Sequence, residues 1–478
     1  MSRCAARTRS PDAEGARILL DLAPGAGTEA EARELAQRLG GLPLALHLAG
    51  THLGSEFSDI AGFAAYRAAL GRPGAAAALL AADPDTAPGA DHRTVVMRTW
   101  EISLNDLAGV GLAGARPILR LLACYAAATP IPLWLLTAHR LEAVLDRGEP
   151  PDRILRALAR VGLIDRQPTV DQASDVGIIV HPIVAVSNLS HLDREPAGAG
   201  PTPADIRRAA VDLVADAVTR LRHDRPADWP SFKLLTPHLH ALFDNTVTHL
   251  ADDDLPALLH AAATTADAQG WSGSARASED LSRAGLTCAD RLGQEHPAIL
   301  MAWFNLAWAI GSQGRLTEAE SLYRRVLDAR RRVLGDGYPD TIAARRMLGW
   351  AIAEQHRWAD AEAVYQRLLN EQADTLGPDD PATLITRDSL AFVTAQQGRW
   401  AAAEHAYRQV SALRRRILGS GHPSTLLARE ACFGSCGPAE ASEMTLRHRR
   451  RSGPAGQARS AAVMPAGWPG GHCTSSIR

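Results

Sequence analysis

The sequence predicts a mainly α protein whose C-terminal half is an α-solenoid of 42-residue helix pairs. Three observations predict it. Pro297, Pro339, Pro381 and Pro423 are spaced 42 residues apart, and each follows a leucine-glycine pair at Leu292-Gly293, Leu334-Gly335, Leu376-Gly377 or Leu418-Gly419. Other columns keep the same step: Ala319-Glu320, Ala361-Glu362 and Ala403-Glu404; Tyr323, Tyr365 and Tyr407; Arg315, Arg357 and Arg399; Trp308, Trp350 and Phe392. Within each unit apolar residues recur at three- and four-residue spacings, as in Leu306 with Ile310 and in Ala319 with Leu322, Tyr323 and Val326, which marks helices with one buried face.

Each unit reads as two helices. Proline opens the first, where a missing N–H costs nothing and φ is already helical. Gln313-Gly314-Arg315 and Gln397-Gly398-Arg399 make the turn between helices, with glycine supplying a positive φ, and His356 replaces that glycine in the middle unit. A unit this short cannot bury its own face, so about three or more must stack. A degenerate unit is expected from about 254 to 294, with Ala277 and Leu281 in the columns of Ala319 and Tyr323, and a last first-helix fades near Ala431. The arginine runs 330–332 and 414–416 are read as charges at helix C-termini.

These residues resemble the 42-residue tetratricopeptide repeat of kinesin light chains and of many actinobacterial regulators. The resemblance implies a right-handed solenoid over 254–430 whose first helices line a groove for a protein or peptide ligand. An asparagine recurring there holds an extended peptide; Asn305 matches it, with Met347 and Ser389 at the next two positions. Asn305, Arg345, Arg346 and Ser389 are the partner-contact candidates on this basis.

The first half carries other signals. Thr28 and Glu31 form a capping box opening a helix that ends at Gly40-Gly41, and Pro43 opens the apolar helix of Leu42-Pro43-Leu44-Ala45-Leu46. An apolar helix is expected over 115–127, a second opens at Ile131-Pro132-Leu133, and a third spans 151–161. Two short strands follow, at Leu163-Ile164-Asp165 and Gly177-Ile178-Ile179-Val180. Helices are expected over 204–221 and from Trp229 to Leu242, the latter broken or kinked at Pro237.

The string from Glu34 to Leu46 resembles the "GLPL" segment of NB-ARC (STAND-type) signalling ATPases, and the helices with a hairpin resemble their winged helix. The resemblance implies a helical subdomain over 1–95, a winged-helix-like domain over 96–200 and a helical linker over 201–253. In that family the proline matched by Pro43 lies near adenine, and the histidine matched by His181 reaches the β-phosphate of ADP. No cofactor is expected; ADP is the one the resemblance would admit. The strand-loop-helix core that would hold its phosphates is not in this sequence, which reads as the later portion of a longer signalling protein or as one acting with a separate NTPase.

Composition bounds the function. The chain has one lysine, Lys233, in Ser231-Phe232-Lys233-Leu234, so no phosphate loop ending in glycine-lysine is present. No Ser, His and Asp arrangement or HExxH string stands out, and an enzyme is not expected. His238 and His240 alternate without a carboxylate or cysteine cluster, so no metal site is expected. The formal net charge of −2 gives no global pull toward nucleic acid; Arg153, Arg156 and Arg160 share one helix face and are the candidates for DNA on the third helix. Six scattered cysteines suit a reducing cytoplasm, and the arginine-for-lysine usage suits a bacterial genome. No apolar run approaches the length of a membrane span. From Cys432 the Gly, Pro, Ser and Arg content predicts a disordered tail over 431–478. The expected role is a non-enzymatic interaction scaffold of a bacterial signalling system. Two alternatives stand beside it: a nucleotide-responsive switch, and a DNA-binding regulator.

Overall fold

A computed structural model describes residues 11–70, 90–141, 145, 149–169, 172–194 and 200–418. The expected fading helix after Ser424 and the tail lie outside them. The chain divides into two compact units, one of residues 1–222 with 227–261, the other of residues 223–226 with 262–478. Helices of eight or more residues are numbered α1 onward.

The first unit opens with α1 (Pro11–Leu22), α2 (Glu29–Arg38), α3 (Pro43–Leu53) and α4 (Phe63–Leu70). Thr28 caps α2 as its sequence implies: its hydroxyl accepts from Glu31 N–H, while the Glu31 carboxylate accepts from Thr28 N–H. Gly40 and Gly41, at φ of 66° and 65°, turn the chain into α3. Leu19, Leu35, Leu46, Leu48 and Phe63 are buried.

Then come α5 (Ala90–Gly109), α6 (Ala115–Ala123), β1 (Ile131–Pro132), α7 (Pro151–Arg160), β2 (Ile164–Thr169), β3 (Gln172–Val180) and α8 (Pro182–Arg194). The sheet is antiparallel in the order β1-β3-β2, with Ile131 opposite Ile178 and Ile164 opposite Val180. Two sequence expectations are corrected here. The 115–127 helix stops at Ala123, and Ile131-Pro132 opens a strand rather than a helix, followed by a 3₁₀ turn at Leu133–Leu135. Proline suits this short strand because the missing N–H has no helical carbonyl to serve, and Ile131 gains a fully buried side chain. The hairpin strands are also longer than their apolar cores suggest.

α9 (Pro203–Thr219) and α10 (Trp229–Thr246) complete the unit. α10 runs through Pro237 as one helix, so of the two expected effects, a break or a kink, the break does not occur. One backbone bond is lost there. Around it Phe232, Leu235, His238, Leu239 and Leu242 are all buried, and that packing holds the helix.

In the second unit the later part of α11 (Leu255–Trp271) precedes α12 (Ala275–Leu286). Three helix pairs follow: α13 (Pro297–Ser312) with α14 (Leu316–Leu334), α15 (Pro339–Glu354) with α16 (Trp358–Thr375), and α17 (Pro381–Gln396) with α18 (Trp400–Leu418). Each first helix has its proline at the opening position. One core runs through the pairs, joining Phe304, Trp308, Tyr323, Val326, Met347, Ala351, Tyr365 and Val393.

Candidate protein-interaction array

The turn inside each pair is built alike. Gly314 and Gly398 take φ of 84° and 79°, and His356 takes 59° at the equivalent place. A non-glycine residue there is strained; the His356 ring lies 5.2 Å from Trp358, edge to face, which offsets part of the cost.

These turns clasp the preceding unit. Gln313 Nε2 donates to Glu279 Oε2 (2.7 Å) and Arg315 Nη1 to both carboxylate oxygens (3.0 and 3.2 Å). Gln355 and Arg357 do the same to Glu320 (2.7, 3.1 and 3.0 Å), and Gln397 and Arg399 to Glu362 (2.9 and 2.5 Å). Burial alone would raise the Glu279 carboxyl, but bonds from Arg283, Gln313 and Arg315 bring it down to about 2. Glu320 is likewise lowered against burial by Gln355 and Arg357. Arg399 and Gln397 lower Glu362. The Glu, Gln and Arg columns are thus one device: charge-assisted bonds that fix the register between units.

Aromatic residues fix the spacing of the first helices. A Cβ on Gly270 would meet the Trp308 ring at 2.2 Å, and one on Gly311 would meet Trp350 at 2.8 Å. Each tryptophan therefore lies over a glycine two helices earlier, one repeat back. In the third unit Ala353 takes the glycine's place and the aromatic is Phe392, which is 39% exposed. The aromatic column is therefore not uniformly core: Trp308 is buried, Trp350 half-buried and Phe392 exposed.

The arginine runs divide. Arg331 pairs with Asp336 and Arg332 with Glu295 at the surface, while Arg330 and Arg414 are buried. Arg330 stacks over Phe304 at 4.7 Å and donates to the Asp340 carbonyl; Arg414 donates to Asp388 Oδ2 (3.2 Å). Sequence reasoning took both for solvated helix ends. Their shared column, 84 residues apart with Gln372 midway, was the available signal.

The four partner-contact candidates are buried in this structure. Asn305 Nδ2 donates to the Ala263 carbonyl (2.9 Å), one repeat earlier. Ser389 Oγ donates to its own helix at Ile385 O. Arg345 pairs with Asp336 (2.7 Å) and Glu371. Arg346 is 4% exposed, and burial pulls its guanidinium down, with Tyr365 and Tyr323 countering. A cleft of about 220 Å³ opens beside Arg345's partners, lined by Asp336, Ile342, Leu368, Glu371, Gln372 and Asp374 among others.

In the first unit Pro43 and His181 are exposed, Pro43 at the start of α3 and His181 just before α8. His181 Nδ1 accepts from Ile183 N–H (3.3 Å). Arg153, Arg156 and Arg160 are exposed on α7, and Arg160 is paired with Glu56. His238 is a core histidine: Nδ1 accepts from Ala126 N–H, Nε2 faces the Pro130 carbonyl at 3.1 Å, and burial holds it down at about 4. Among the described residues no cluster of His, Cys, Asp and Glu could hold a metal ion, and no helix is long and apolar enough to cross a membrane.

The tetratricopeptide repeat family model matches residues 298–370 and 351–416. These residues are tetratricopeptide repeats. No curated protein matches the chain. Among solved structures, a Podosopora anserina protein of the kinesin light chain type with nearly identical TPR-like repeats is 20% identical over 44% of this chain and 98% of its own (TM-score 0.38). A signal transduction ATPase with numerous domains and a tetratricopeptide repeat sensor, from Pyrococcus horikoshii, is 14% identical over 92% of this chain and 66% of its own (TM-score 0.32). A Rap protein complexed with competence and sporulation factor is 13% identical over 66% and 85% (TM-score 0.34).

Proposed function

We propose that this chain is a non-catalytic interaction scaffold of a bacterial signalling system, holding a partner protein on its tetratricopeptide array. One observation carries the reading: the clasps and aromatic contacts use the interior of the array for its own stacking, and they leave long second-helix faces rich in charged residues open to a partner. The test is capture of partners by the full chain, wild type against charge-reversal variants of exposed second-helix residues such as Arg324, Arg367 and Arg408. Loss of capture with an unchanged melting temperature supports the reading; capture unaffected by every array variant removes it.

A second reading, an ADP- or ATP-responsive switch acting with a separate NTPase core, draws on His181. With Nδ1 committed to Ile183 N–H, the exposed ring has Nε2 to offer a phosphate. Helices α5 and α6, then β1, α7 and the β2–β3 hairpin, fit a winged-helix module in the same reading, and Arg153 and Arg156 on α7 give DNA as the outside alternative. Calorimetric titration of ADP into the chain tests the switch: no heat at millimolar ADP, and no rise in melting temperature, sinks it. A gel shift without salt-dependent retardation does the same for DNA.

A further inference from the structure

The middle repeat breaks a pattern its neighbours keep. In the first pair Arg330 stacks on Phe304, and in the third Arg414 bonds Asp388. The corresponding residues of the middle pair are Gln372 and Arg346. Here the contact is not closed: both polar atoms of the Gln372 carboxamide, and Arg346 Nη2, are buried without a hydrogen-bond partner among the described residues. Gln372 is 1% exposed. A buried amide with neither donor nor acceptor used is costly, and native interiors seldom leave one so.

Gln372 lines the 220 Å³ cleft, where a turn of its side chain would present both amide atoms to a ligand. The cleft wall is acidic. Arg345 and Arg331 share Asp336, Arg345 also takes Glu371, and Asp374 has no ion-pair partner among the described residues. Three carboxylates face two arginines, which leaves one negative charge at the mouth. Ile342 and Leu368 supply an apolar floor. A donor and acceptor side by side match a main-chain peptide group, and the spare carboxylate matches a cation.

We propose that this cleft docks a basic segment of a partner protein, a main-chain amide of which pairs with the Gln372 carboxamide while a cationic side chain rests against Asp374 and Glu371. The inference rests on the scaffold reading and names its partner's chemistry. Gln372 would be the recognition residue, on a second helix, where the groove-lining positions suggested by resemblance would not have found it.

The probe is a fluorescein-labelled peptide Gly-Ser-Gly-Arg-Gly-Ser-Gly, titrated into the full chain by fluorescence polarisation, with the same peptide carrying glutamate in place of arginine as control. Saturable binding of the arginine peptide and none of the glutamate peptide is expected. Gln372→Leu should weaken binding about tenfold, as loss of two hydrogen bonds implies, and Asp374→Asn about threefold. Gln372→Arg, which fills the site with the chain's own cation, should abolish binding. Failure of the wild type to bind the arginine peptide, equal binding of both peptides, or full binding by Gln372→Leu overturns the proposal. If Gln372→Leu misfolds, the exposed Asp374→Asn decides. Loss of this site with partner capture intact leaves the scaffold reading standing; loss of the scaffold reading requires capture to survive every array variant.

Discussion

The two units protect their buried ionisable groups in opposite ways. The first unit hides neutral histidines: His238 between Ala126 N–H and the Pro130 carbonyl, and His52, whose Nε2 lies 3.1 Å from Asp106. Burial lowers both, His238 to about 4. The repeat unit keeps its recurring carboxylates Glu279, Glu320 and Glu362 charged by gripping them with arginine and glutamine, while Asp267 and Asp388, outside those clasps, are raised by burial. A one-off fold can settle each polar group locally, whereas a stack must satisfy its groups across a junction that recurs, and a Glu held by the next unit's turn does both jobs. The contrast teaches that the same cost of burial is met by neutrality where contacts are unique and by pairing where they repeat.

The largest test of this contrast is in the core. Tyr323 is fully buried between units, and Tyr323→Ala should cost about 3 to 5 kcal/mol. Calorimetry should show the repeat transition moving to lower temperature while that of the first unit stays. Next comes pH. A histidine with a depressed native value contributes stability that is full above its unfolded value of 6.5 and is lost as pH falls toward the native value. His238 alone is worth roughly 3 kcal/mol across that window. The clasp carboxylates, depressed from 4.5, lose their contribution only below about that value. Asp267, raised by burial to about 7 with Arg330 opposing, has the other sign: its contribution is present at low pH and is lost as pH rises through 7. Hydrogen exchange between pH 7 and 5 should therefore show the first unit loosening while the repeats hold, and equal loosening would contradict the assignment.

Gly311→Ala puts a methyl group against the Trp350 ring and should cost about 1 to 3 kcal/mol by overpacking. The same change at Gly337, where nothing lies within 4 Å, is the control. The smallest effect is at a single clasp. Arg357→Ala leaves Glu320 with Gln355 and Arg324, and because the arginine is 42% exposed the loss should be about 1 kcal/mol or less, read as a shift in urea midpoint.

Much of this was legible because repetition makes packing visible as columns. Prolines, turn glycines, tyrosines and the Gln-Gly-Arg turns all stand at one period, and the mainly α array follows from them. What escaped was pairing between columns. Glu320 and Arg357 each recur at the repeat period, yet nothing in either column says that they meet. The burial of Arg330 was missed for a related reason: a run of three arginines looks solvated as a whole, while helical geometry turns its first member inward onto Phe304. In the first unit Ile131-Pro132 could not be read as a strand, since two residues carry no period and their partner, Ile178, is far along the chain. The candidate site was the least legible part. Asn305 was found by position, but its hydrogen bond goes to Ala263 and so to the array itself.

His356 has a consequence for how the array opens. A linear stack behaves as a row of nearest-neighbour couplings, and such rows ordinarily fray from their ends. Here the central unit holds a left-handed histidine, a guanidinium without a counter-ion and an idle carboxamide. These features lower the cost of opening the row at its waist relative to an array whose units are all alike.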